Sequence, residues 1–129
     1  MHKNSTVKNQ NLTDKNLEQK ISTEKLPTIE VAELTNRYAA GERNFIKTDL
    51  SGIDLSGTDL SRTDLQGVSL CNANLANTNL SGANLSWTNL FAANLSGTNL
   101  SGANLSWAKL SWASLDEANL KGANLIWAT

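Results

Sequence analysis

The chain has little of what chemistry usually requires. Its 129 residues include one histidine and one cysteine. Cys71 therefore cannot form an intrachain disulfide, which suits a reducing compartment, and the expected location is the cytoplasm. His2 sits in a polar N-terminal tail. No zinc-ligand spacing and no phosphate-binding glycine motif occurs, so no metal and no cofactor is expected. Catalysis needs titratable groups that converge, and an enzyme is not expected where they are this sparse. No apolar run near the N-terminus is long enough for a signal peptide, and none anywhere approaches a membrane span, so no membrane association is expected. The net charge of −1 supplies no field that would draw the chain to nucleic acid.

What is present falls into three segments. Residues 1–25 are polar, with Leu12, Leu17 and Ile21 as isolated apolar residues, and a disordered tail is expected. Residues 26–42 hold one short helix, expected over 28–40, with Thr28 as N-cap after Pro27 and Glu30 in the first turn. Val31, Leu34 and Tyr38 fall on one face of it, and Gly41 is placed to end it in a left-handed conformation. A lone helix this short is marginal in water and must dock on something.

From Phe45 onward leucine recurs at 50, 55, 60 and every fifth position to 125, giving 17 consecutive centres with Phe45. On an α-helix five residues turn about 500°, which scatters the leucines around the axis. On a continuous strand every fifth side chain changes face. Only a chain that bends once per repeat, always in the same sense, can bury them all. Two residues before each leucine stands Ala or Thr, less often Val or Ile, on the same inward face. Between the two stands Asp or Asn, with Ser69, Lys109 and Ser114 as exceptions. Ser and then often Gly follow the leucine, which is turn chemistry.

Runs such as Ala83-Asn84-Leu85-Ser86, Ala93-Asn94-Leu95-Ser96-Gly97 and Ala103-Asn104-Leu105-Ser106 resemble the A-(D/N)-L-x-x pattern of the pentapeptide-repeat family. The stretch Arg37–Phe45 resembles the helix-to-solenoid junction of many members. The resemblance implies an all-β solenoid over residues 43–129: a right-handed quadrilateral β-helix of about four coils, capped by the N-terminal helix through Val31, Leu34 and Tyr38. It also implies four repeats per coil, so residues 20 apart should stack.

Under that frame Trp87, Trp107 and Trp127 share one outer face, and Trp112 lies one corner away. These four are the candidate interaction face, either as a platform for a protein partner or as a stack that stiffens the coil. Asn84, Asn104 and Asn124, and likewise Asn79, Asn99 and Asn119, are expected to exchange amide hydrogen bonds between coils. Asp49, Asp54, Asp59 and Asp64 belong to four different sides and diverge, which argues against a metal site. The C-terminal Ile126-Trp127-Ala128-Thr129 carries no counterpart of the helix, which leaves two readings: a homodimer through this uncapped end, or a monomer whose last coil frays. The function expected is a non-enzymatic scaffold that binds an unidentified protein. The alternative is a DNA-mimicking binder of a topoisomerase such as gyrase, as some family members are. Residues 43–129 weigh against it, with five basic and six acidic side chains.

Overall fold

The computed structural model describes residues 26–129; the tail of residues 1–25 lies outside the described residues. In every repeat from Leu50 onward, the N–H three residues after the leucine donates to the leucine carbonyl, as Thr88 does to Leu85 at 3.2 Å. The residue two after the leucine is left-handed each time, with φ between 57° and 72°, whereas the residue one after it is not. A single positive φ at the third position is a type II turn. Seven of these positions carry glycine, and the rest carry Arg, Asn, Ala, Glu or Trp. The first repeat differs: Lys47 is not left-handed, and the Thr48 hydroxyl closes the bend by donating to Phe45 O at 2.7 Å.

Turns of one hand, five residues apart, coil the chain. Parallel bridges join residues 20 apart, from Asn44 with Asp64 to Asn104 with Asn124. A coil is therefore four pentapeptides, one turn to each side. A repeat in the middle of the stack gives its neighbours three rungs: around Leu85 these are Asn84 N to Thr63 O at 2.8 Å, Leu85 N to Asn104 O at 2.7 Å and Trp87 N to Ser106 O at 2.9 Å. The strands are reduced to single bridged residues, because each turn interrupts the extended backbone before a longer strand forms.

The inward side chains make one continuous core. Phe45 and every leucine from Leu50 to Leu105 are fully buried, and Leu110, Leu115 and Leu120 are partly so. The small inward position is most often Ala or Thr, with Ala73, Ala83, Ala93, Ala103 and Ala108 fully buried. Where it is Thr, the hydroxyl is satisfied by a backbone carbonyl, as in Thr88 Oγ1 to Leu85 O at 2.6 Å and Thr98 Oγ1 to Leu75 O at 2.6 Å. No buried side-chain polar atom among the described residues lacks a partner, so threonine can be interior without a desolvation penalty.

Helix α1 spans Val31–Ala39, beginning three residues later and ending one residue earlier than the sequence suggests. Its N-cap is Glu30, which makes no side-chain cap bond. Thr28 is not the N-cap because its backbone is extended and bridges Asp49, with Asp49 N donating to Pro27 O at 3.0 Å. Residues 27–29 thus add a rung to the first coil before the chain turns into α1, and Ile29 is buried. Leu34 is buried with Phe45 in the same core, Val31 and Tyr38 pack against it, and Gly41 leaves the helix at φ 102°. Around the junction the Arg43 guanidinium lies 3.6 Å from the Tyr38 ring centroid, Arg37 pairs with Glu42 at 2.6 Å, and Tyr38 O–H reaches Ser61 O at 3.0 Å.

The Asp and Asn side chains act within their own turns. Every Asp or Asn that precedes a core residue accepts, through Oδ1, the N–H two residues on, as in Ser86 N to Asn84 Oδ1 at 3.1 Å. The expected amide ladders through Asn84 and Asn79 do not form. Inter-coil amide bonds are confined to Asn84 Nδ2 to Asp64 at 3.3 Å and Asn94 Nδ2 to Asn74 at 3.5 Å. An Asx turn spends the side-chain acceptor locally.

The same geometry makes two carboxylates acid-sensitive. Asp54 is held below the ordinary carboxylate range by the Ser56 hydroxyl and then the Ser56 N–H. Asp59 is lowered by the Ser61 N–H and hydroxyl, with burial opposing. A depressed folded-state value contributes stability that is present above the unfolded value, about 4, and disappears as pH falls through the folded value. Asp54→Asn keeps the acceptor oxygen that Asn74 uses at the corresponding place. It is expected to lower the melting temperature at pH 7 slightly, by the charge-assisted part of the Ser56 bonds, and to reduce its fall between pH 5 and pH 2. An unaltered pH slope in the variant would count against the carboxylate as its source.

Candidate interaction face

The turns decide where the tryptophans stand. All four occupy the left-handed position, with φ of 61° at Trp87, 62° at Trp107 and Trp127, and 63° at Trp112. For a side chain with a Cβ this conformation costs roughly 1–2 kcal/mol relative to glycine. It also aims the indole away from the core. Trp87 and Trp107 stack with centroids 4.8 Å apart and planes 4° apart; Trp107 and Trp127 stack at 5.5 Å and 21°. The first spacing equals that between hydrogen-bonded neighbours, so the coil repeat itself sets the ring contact. Trp107, covered on both faces, is 44% exposed, against 57% for Trp87 and 68% for Trp127.

Trp112 stands apart. It is 85% exposed and makes no ring contact, with Ala92 at its register position one coil earlier. Among the described residues its backbone strain is offset by no ring contact. Phe91, Leu125 and Ile126 are the other exposed large apolar side chains of this half of the chain; sequence reasoning missed Phe91 and placed Leu125 in the core, where it is instead 40% exposed. Phe91 and Ile126 occupy the position just after the leucine, where the repeat usually has Ser, and that departure was the available signal. Around Trp87 and Trp107 charge is absent from the chain, since residues 65–108 contain no Asp, Glu, Lys, Arg or His, whereas Lys109, Asp116, Glu117 and Lys121 lie in the stretch that carries Trp112 and Trp127.

Elsewhere the surface offers little chemistry. A depression of about 470 Å³ lies at the N-terminal junction, lined by Pro27, Arg37, Asn44, Phe45, Ile46, Lys47 and Thr48. It holds no nucleophile paired with a base. No group of His, Cys, Asp or Glu that could hold a metal occurs among the described residues, and no described helix is long and apolar enough to cross a membrane.

A coil of four pentapeptides with leucine centres and type II corners defines a class of solenoid. The model of the pentapeptide-repeat family matches residues 44–75, 69–106 and 103–129 in eight copies, and the chain belongs to that family. Its members form right-handed β-helices. The crystal structure of Rfr23, a pentapeptide-repeat protein from the cyanobacterium Cyanothece 51142, is 40% identical with a TM-score of 0.62. That likeness covers 64% of this chain and 56% of the other. The pentapeptide-repeat protein alr5209 of Nostoc Pcc 7120 is 37% identical over 77% of this chain and 78% of its own, with a TM-score of 0.49. QnrB1, a plasmid-mediated fluoroquinolone resistance protein, is 21% identical over 67% of this chain and 59% of its own, with a TM-score of 0.33. No curated protein sequence matches the chain.

Proposed function

We propose that the chain is a non-enzymatic protein-interaction scaffold. In this reading α1 caps the N-terminal end of a solenoid of about four coils, and the tryptophan column with Trp112 is the recognition face. The observation that carries it is Trp112, a large apolar ring held in a left-handed backbone, 85% exposed, with no ring among the described residues to stack on. Exposed tryptophan is a frequent interface anchor because it buries much area with few torsions to freeze. The near-balanced charge of residues 43–129, five basic and six acidic side chains, does not suit duplex DNA mimicry, which needs a dense array of carboxylates.

A photo-crosslinking amino acid at position 92, beside Trp112, tests this in cells of the source organism, with one at position 82 on another side as control. A discrete adduct from position 92 that is lost on Trp112→Gly supports the face. Equal labelling from both positions, or an adduct indifferent to Trp112, overturns it.

A second copy is one candidate partner. Leu125, Ile126 and Trp127 form an exposed apolar group, 40%, 62% and 68% accessible, and such a surface can pair with its own copy. Light scattering is expected to give twice the chain mass for the wild type and the single mass for Trp127→Ala. A monomer in both cases removes this route and leaves the lateral face untouched.

A further inference from the structure

The indole column stops one level short of where its own geometry could carry it. Its register positions run Lys47, Gly67, Trp87, Trp107, Trp127. Gly67 N donates to Ser86 O at 2.9 Å and Trp87 N to Ser106 O at 2.9 Å, so the levels are locked in the same register. Trp127 and Trp87 cover the two faces of Trp107, whereas the other face of Trp87 turns towards Gly67. A Cβ at Gly67 would meet nothing within 4 Å. By contrast, the space at Gly82 is approached by the Arg62 side chain, and that at Gly97 is occupied by Asn77. Among the described glycines of the turns, Gly67 is the one followed a coil later by tryptophan. The result is an empty level one coil high, about 4.8 Å, walled on one side by a bare indole face.

We propose that this level is a docking slot for one neutral aromatic side chain of a partner protein, which would extend the ladder by a ring. The proposal rests on the column being the recognition face and names what that face takes. Charge selects the occupant. Lys47, at the same register position one coil further, repels a guanidinium or ammonium, and the nearest carboxylate in sequence, Asp64, is already engaged by Gln66 N at 3.2 Å and Asn84 Nδ2 at 3.3 Å. An electron-rich ring has the opposite relation to Lys47, because its face attracts a cation. An aliphatic side chain would bury area against Trp87 but gain neither the offset-stacked contact nor the cation contact. Indole and phenol rings fit the slot best.

The test uses the full chain, labelled with nitrogen-15, titrated with N-acetyl-tryptophanamide, N-acetyl-tyrosinamide and N-acetyl-leucinamide. The aromatic amides are expected to give saturable shifts at the Gly67 and Val68 amides and the Trp87 indole N–H. Half-saturation for a lone ring is expected at about 10 mM. Gly67→Trp, which places a built-in ring on the level, is expected to weaken binding by at least about tenfold. Trp87→Ala, which removes the wall, should abolish it and serves if Gly67→Trp does not fold. Shifts of equal size with N-acetyl-leucinamide, shifts that survive both substitutions, or no saturable shift overturn the slot. A Trp112-dependent crosslink without these shifts would sink the slot alone; loss of both would sink the recognition face with it.

Discussion

Leu85→Ala is expected to destabilise the chain by about 2–5 kcal/mol, towards the upper end of the range for a buried leucine. The cost of such a truncation depends on how far the surroundings collapse into the void. Leu85 is wholly buried, with Leu65 and Leu105 at its register position in the coils on either side, both buried as well. The backbone beside it is held by rungs in both directions: Asn84 N to Thr63 O, and Leu85 N to Asn104 O. These rungs fix the coil spacing, so the neighbouring leucines cannot close the gap by sliding along the axis. Leu120→Ala makes the same chemical change in the last coil, where the side chain is already partly exposed and has Leu100 on one side only. Its cost is expected to be about half or less, since stability in a solenoid is a sum of nearest-neighbour terms. Guanidinium unfolding followed by far-ultraviolet circular dichroism compares the two. Equal losses would mean that the coils do not share the load in this nearest-neighbour way.

The period of five was legible because burial imposes it. A leucine that misses its position would face water, so the core writes itself into the sequence without gaps from 50 to 125. The coil of 20 residues came only by family resemblance, since the number of sides depends on turn geometry and not on hydropathy. Stacking of Trp87, Trp107 and Trp127 followed once that number was supplied, and the ring geometry bears it out. Where the sequence misled, a local interaction won over a distant one. The Asn side chains bond to their own turns, and an amide at this position serves a turn as well as a ladder, so residue identity cannot distinguish them. Thr28 is a good capping residue by type, but its backbone is committed to pairing with Asp49, a contact between residues 21 apart that no local pattern announces. Left-handed φ at the tryptophans was half visible: glycine occupies the equivalent place elsewhere, yet an indole there gives no sign of the conformation it is forced to share.

That conformation leads to opposite signs for two tryptophan substitutions. Trp107→Gly removes about 1–2 kcal/mol of left-handed strain but adds the unfolded-state entropy of glycine, which returns about half of it. Against the remainder stand two stacked contacts, each about 0.5–1.5 kcal/mol beyond the area they bury, and the buried part of the ring itself. The net expectation is a loss of about 2–3 kcal/mol. Trp112→Gly gives the same strain relief and the same entropy penalty, but this ring is 85% exposed and stacks on nothing. It is expected to leave stability unchanged or raise it by up to about 1 kcal/mol. Chemical denaturation of the two variants beside the wild type decides the matter, and two losses of similar size would show that Trp112 is held by its own chain. A gain or no change at Trp112, together with a lost crosslink, would place its strain in the class kept for binding, where a residue unfavourable to the isolated fold is retained for what it contacts in a complex.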